Sequence, residues 1–191
     1  MKTLLAFLAL LPAAYAADPT PAASPAPSAA ASSLQDTPLP DIKASLQIPQ
    51  GWFVKKEDQD GVIVYQISRE KVASENDSFT AGLILTVTPK VPDRAEMKPS
   101  AYAAELMANS QDDTDPAELK KTTDGPWQIF RSGYKIDADD GGDVQIVNFA
   151  KANDQSGTLY FVTWQSPAAE EDKLAPVREA IISSLKLDPS F

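Results

Sequence analysis

Between residues 79 and 88 the side chains alternate in character: Phe79, Ala81, Leu83, Leu85 and Val87 fall on one side of an extended chain, while Thr80, Gly82, Thr86 and Thr88 make the other side mostly polar or small. Successive strand side chains point to opposite faces, so a period of two sustained this long commits the segment to a strand with one buried face. A helix would scatter the same five apolar groups around its axis. A lone strand is unstable in water, so this one demands partners.

Those partners are legible on either side. Ile42, Ala44, Leu46 and Ile48 repeat at period two, ended by the turn Pro49-Gln50-Gly51 before Trp52-Phe53-Val54. A polar turn is expected over 57–61, then a β-branched strand over 62–67. Three consecutive strands joined by turns predict an antiparallel meander. The period then becomes helical: Pro99 suits a first turn, and Tyr102, Ala103, Leu106 and Met107 form a stripe over 100–109. Asp115-Pro116-Ala117-Glu118 announces a second short helical piece.

Strand character returns over 127–136, with Phe130, Tyr134 and Ile136 on one face and Trp127 and Ile129 on the other, and again over 144–149. The segment 158–164 is apolar on both faces and is expected in the centre of the sheet. Ser166-Pro167 is read as the cap of a last helix, with Glu170, Glu171 and Asp172 at its positive end and Leu174, Val177, Ile181 and Leu185 as its stripe. Helix stripes and sheet faces must bury each other. The fold class expected is therefore α+β, a mainly antiparallel sheet of about six strands flanked by helices.

Three compositional zones divide the chain. Residues 1–16 join Lys2 to a short apolar run and to Ala14-Tyr15-Ala16, a small-x-small cleavage pattern, and read as a signal peptide too short to span a bilayer. Residues 17–40 are rich in Ala, Pro, Ser and Thr and are expected to be a disordered linker. Residues 41–191 have the size of a single domain. The expected location is periplasmic or secreted, and with no Cys after the apolar run there is no lipid-attachment site.

The chain has no Cys and no His. Thiol nucleophiles, disulfides, zinc–thiolate centres and the usual general base are thereby excluded. Its formal charge is −10, which repels phosphate backbones and anionic lipid surfaces, so no nucleic-acid partner is expected, while the short apolar run and the early Pro12 argue against a stable membrane anchor. No Gly-x-Ser-x-Gly elbow or phosphate-binding glycine loop occurs, and no catalytic, cofactor-binding or metal-binding residue is assigned.

Two acidic stretches and three tryptophans remain to be placed. Asp137-Ala138-Asp139-Asp140-Gly141-Gly142-Asp143 is the densest set of oxygen donors, but Gly141 stands where an EF-hand needs its fifth-position ligand and Asn148 where it needs its twelfth. A solvated hairpin turn is the expectation, with a Ca²⁺ or Mg²⁺ site the alternative. Gln111-Asp112-Asp113-Thr114-Asp115 is expected to be an exposed loop, and Trp52, Trp127 and Trp164, each in or beside a strand, to belong to the core.

Ile48-Pro49-Gln50-Gly51-Trp52, the strand over 81–88, the helix around Tyr102, Tyr160-Phe161-Val162-Thr163 and Ile181-Ile182-Ser183-Ser184-Leu185 together resemble the PsbP-like (PsbP/Mog-type) family, in a bacterial exported form. The resemblance covers essentially all of 41–191 and implies an αβα sandwich around an antiparallel sheet. It also implies a non-enzymatic role, since members include extrinsic subunits of photosystem II, a nuclear transport factor that binds a small GTPase, and bacterial adaptor or envelope proteins. The metal ligands proposed for the photosynthetic members include His, which this chain lacks, so no functional residue is carried over. The function expected is an exported binding or assembly-accessory protein of the cell envelope, with no cofactor and with a protein partner not identified from sequence. The alternative is an envelope module that binds Ca²⁺ or Mg²⁺ through its acidic loops.

Overall fold

A central seam joins two antiparallel meanders. The computed structural model describes residues 33–74, 77–110, 119–138 and 142–191. The first meander is β3 (Phe53–Gln59), β4 (Val62–Ser68) and β5 (Gly82–Thr88); the second is β6 (Lys120–Asp124), β7 (Trp127–Ala138), β8 (Gly142–Asn153) and β9 (Thr158–Pro167). They form one seven-stranded sheet in the order β3-β4-β5-β9-β8-β7-β6, so β9 stands at its centre. Across the seam Leu83 pairs with Trp164, Leu85 with Val162 and Val87 with Tyr160, all six of them buried. Gly82 starts β5 because a Cβ there would meet the Ile67 carbonyl oxygen at 2.4 Å.

A second, three-stranded sheet goes beyond the sequence expectation: β1 (Leu34–Leu39), β2 (Ala44–Pro49) and β10 (Lys186–Leu187), with β2 in the middle. The strand expected over 42–48 therefore belongs to this sheet and not to the meander. The domain also begins earlier than residue 41, because β1 pairs with β2 from Leu34↔Pro49 to Leu39↔Ala44 and buries Leu39 in the core. Pro38 is tolerated because β1 is an edge strand. The signal segment 1–16 and the linker up to residue 32 lie outside the described residues.

Two further expectations change. The polar turn expected over 57–61 shrinks to Asp60-Gly61, whose φ values of +54° and +75° suit a two-residue type I′ hairpin; Glu57 and Asp58 stay in β3, where an edge strand tolerates charge. Ser166-Pro167 does not cap the last helix. β9 runs through Pro167 and a 3-10 turn at Ala168–Glu170 precedes α3 (Glu171–Ser184), while the buried Ser166 hydroxyl accepts the Trp164 indole N–H at 3.1 Å. An indole buried this deeply needs such an acceptor.

One face of the large sheet is covered by the small sheet together with α3. Leu39, Ile42, Leu46 and Ile48 join Leu174, Ile181 and Leu185 over Tyr65, Leu85, Phe149, Val162 and Trp164. Specific polar contacts fix this cover: Tyr160 donates to the Ile42 carbonyl at 3.2 Å and the Gln47 amide donates to Ser184 Oγ at 2.8 Å. Tyr65 donates to Asp41 at 3.1 Å, and burial, followed by the Asp41 carboxylate, pushes its phenol up to about 12. On the opposite face α1 (Val91–Ala95) and α2 (Pro99–Asn109) bury Val91, Ala103 and Met107 against Phe130, Ala150, Ala152 and Leu159. Asp154 fixes the start of α2 by accepting from both the amide and the hydroxyl of Ser100.

α3 carries a buried cation that its apolar stripe did not announce. Arg178 is 6% exposed and pairs with Glu171 at 2.8 Å and Glu179 at 3.1 Å, and Glu179 also takes the Arg131 guanidinium of β7. A cation so placed needs compensating carboxylates. Hydrogen bonding to Arg131 holds Glu179 below the usual carboxylate range, with burial opposing and Arg178 assisting. A carboxylate lowered on folding adds stability above its unfolded value of 4.5 and loses it as pH falls through the folded value. Glu179→Gln is therefore expected to lower the melting midpoint near neutral pH and to lose that difference progressively as the pH falls below 4.5, checked by thermal denaturation across the range. An equal difference at both ends would contradict the assignment.

Candidate functional site

The helical cover on the α2 side stops part-way across the sheet. α2 packs on β7, β8 and β9, and among the described residues no helix makes more than marginal contact with β3, β4 or β5 on that face. Register aligns the side chains left uncovered into rows. One row runs Glu57, Val64, Thr86, Phe161 and then passes under the helices at Ala150 and Phe130; the next runs Lys55, Gln66, Ile84, Thr163 and Asn148. Val64, Ile84 and Phe161 are only half-buried, Phe161 packing at the margin of the cluster under α2.

At the outer margin of this face Phe53 is 43% exposed, and its neighbour Val54, in register with Ile67 on the opposite face, is 41% exposed. They line a groove of about 170 Å³ with Lys55, Gln66, Ser68, Lys71 and Val72. That volume lies well below the roughly 300–1,000 Å³ of small-molecule sites, and suits one or two side chains. A void of about 10 Å³ among Leu46, Leu85, Val162 and Ile181 is purely apolar and is a packing defect of the core.

The loop after β4 contributes Lys71 and Val72 to the groove and is braced by charge just before them. Arg69 reaches Glu170 at 2.8 Å, Glu70 at 3.0 Å and Thr80 at 3.2 Å. Burial raises the Glu70 carboxyl, but hydrogen bonds from Thr80, Arg69 and the Ala81 amide outweigh it and hold the group below its ordinary range. Lys55 pairs with Glu57 at 3.0 Å, and Glu57 is lowered chiefly by that hydrogen bond. Lys71 has no ion pair among the described residues.

Trp127 and Trp164 take core positions, while Trp52 is only half-buried and packs against the core from its margin. Trp164 is fully buried with Trp52 stacked on it at 6.0 Å, and Trp127 meets Tyr160 edge-on at 5.8 Å. Asp137 stands opposite Asp143 in the β7–β8 pairing, while residues 139–141 of that acidic loop and the stretch 111–115, with the short helix expected beyond it, lie outside the described residues. Among the described residues no group of three or more acidic, His or Cys side chains is placed to hold a metal ion, and no helix is long and apolar enough to cross a membrane. The Phe53 groove carried one signal in the sequence: two adjacent large apolar residues followed by four charged ones. Neighbouring strand residues face opposite ways, so Phe53 and Val54 cannot share one buried face.

No protein-family model matches the sequence, and no curated protein sequence matches it. Solved structures do. The solution structure of cyanobacterial PsbP (CyanoP) from Synechocystis sp. PCC 6803 aligns with a TM-score of 0.52 at 12% identity, over 86% of this chain and 98% of that one. The fold is PsbP/Mog-like. The Saccharomyces cerevisiae Ran-binding protein Mog1p aligns with a TM-score of 0.50 at 11% identity, over 82% and 96% of the two chains. A crystal structure from Bacteroides thetaiotaomicron shares 13% identity with a TM-score of 0.46 over 76% of this chain; this chain spans 45% of that protein's length. The αβα layering implied by sequence resemblance is thus the observed architecture, with the small sheet sharing one layer with α3.

Phe53 contributes to the surface and not to the core. Phe53→Ser is expected to change unfolding stability by no more than about 0.5 kcal/mol. Phe130→Ala, in the buried cluster under α2, is expected to cost about 3–5 kcal/mol. Denaturant titration of both variants checks this; comparable losses would show that Phe53 is structural.

Proposed function

We propose that this chain is a non-enzymatic exported accessory protein of the cell envelope, which binds a protein partner through the half of its seven-stranded sheet that the helices leave uncovered. The observation that carries the reading is the face itself, where half-buried Val64, Ile84 and Phe161 alternate with Thr86, Gln66 and Thr163 and exposed Phe53 marks the groove at the β3 margin. Surfaces of this kind, apolar and rimmed by polar groups, serve association more often than stability. Export rests on residues 1–16, whose pattern suits a cleaved leader to a periplasmic or extracellular location. The acidic charge of −10 and the absence of Cys and His agree with binding rather than catalysis and with no role at nucleic acid. Mog1p, described as a Ran-binding protein, is a precedent for protein recognition on this fold.

Site-directed photocrosslinking in the producing cells tests the reading. A benzoylphenylalanine placed at Thr86, on the uncovered face, is expected to give a discrete crosslinked species in the envelope fraction; the same group at Glu105, exposed on α2, is expected to give none. Equal products from both positions, no product from Thr86, or recovery of the protein only from the cytoplasm would overturn it.

A further inference from the structure

We infer that the segment received at the β3 edge is an extended stretch of a partner protein in which an apolar side chain and a carboxylate stand two residues apart, paired to β3 as an added strand. The inference rests on the binding reading above and specifies its partner. β3 is a terminal strand of the large sheet, so one row of its backbone N–H and C=O groups has no strand opposite it among the described residues. Such an edge receives extended chains through main-chain hydrogen bonds, while pockets for alternate side chains supply selectivity.

Phe53 and Lys55 lie two positions apart on the same face of β3, and both line the groove. An added strand presents side chains to that face with the same period, so the residue opposite Phe53 is best apolar and the residue opposite Lys55 best acidic. Lys71, across the groove, strengthens the preference. Lys55 is already paired with Glu57, which leaves Lys71 as the lining cation with no ion pair among the described residues, and with no acidic residue in its lining the groove suits a carboxylate placed to reach Lys71. Arg69 anchors the chain between the lining residues Ser68 and Lys71 before binding, which reduces the ordering cost of association.

A second copy of this chain fits the edge less well. A twofold antiparallel pairing keeps the two faces continuous only if it is centred on a residue; centring on Lys56 sets Lys55 opposite Glu57 but also Lys56 against its own copy and the polar Gln59 opposite Phe53, and centring on Glu57 sets that carboxylate against its own copy. Like charges directly opposite one another are destabilising.

The test selects a random-peptide display library, long enough to span β3, on the full chain. Enrichment of an apolar-x-acidic or acidic-x-apolar pattern is expected. A synthetic peptide from that set should bind about tenfold more weakly to Phe53→Ser and to Lys71→Glu, and replacing its carboxylate by Lys should restore binding to Lys71→Glu. Unchanged melting midpoints keep both variants informative. Enrichment of basic sequences, no enrichment over bare support, or affinity indifferent to both variants would overturn the inference. A concentration-dependent dimer abolished by changes in β3 would overturn it in favour of self-pairing. Crosslinking from Thr86 with no selected peptide would leave the binding reading standing and remove only this account of the partner.

Discussion

The pairing of β5 with β9 is the contact on which the rest of the molecule depends. These strands are neighbours in the sheet but lie on opposite sides of a long excursion through α1, α2 and β6 to β8. Their pairing converts two local meanders into one seven-stranded sheet and brings Leu83, Leu85 and Val87 against Trp164, Val162 and Tyr160. Without it neither meander has enough apolar surface on one face to hold α3 and the small sheet. The close approach of β4 to β5 at Gly82, where no Cβ fits, locks the register beside it. A one-residue slip would turn every buried group of β5 to the opposite face.

The same seam explains why the two faces differ. On one face, Trp164 and its neighbours are covered along most of the sheet by α3 and by the β1-β2-β10 layer, which is tied down by Tyr160, Tyr65 and Ser184. On the other face, α1 and α2 connect β5 to β6, and this path places α2 over β7, β8 and β9. The β3–β5 part is left to rows that mix Thr and Gln with Val64, Ile84 and Phe161. Such rows are polar enough to face water and apolar enough to accept a partner. The lysine-bearing groove at β3 gives that surface a defined margin.

Elements with strong periodicity are legible in the amino-acid sequence. The alternation over 79–88, the doubly apolar 158–164 segment and the stripes of α2 and α3 all occupy the layers they imply, and β9 is central because both of its faces are covered along much of its length. Elements without an apolar signal are not legible. β6 reads Lys-Lys-Thr-Thr-Asp and is exposed throughout, so only its pairing to β7 makes it a strand. β1 hides in a proline-containing stretch whose composition resembles the linker, and its role depends on Leu39 reaching a core built from distant residues. The candidate site is hidden for a related reason. Phe53 and Val54 look like ordinary strand residues until the sheet order places them at an edge and the helices are seen to stop short of them.

The central claim is a sheet sealed at the β5–β9 seam and open at β3, and residue-resolved amide hydrogen exchange of the full chain reads both at once. Exchange protection follows the free energy of opening each segment, and is greatest in core strands. The account predicts the slowest amides in β5 and β9, with protection falling through β4 and the outward-facing amides of β3 exchanging quickly. Amides of β3 as protected as those of β9 would contradict it, because that edge would then already be covered.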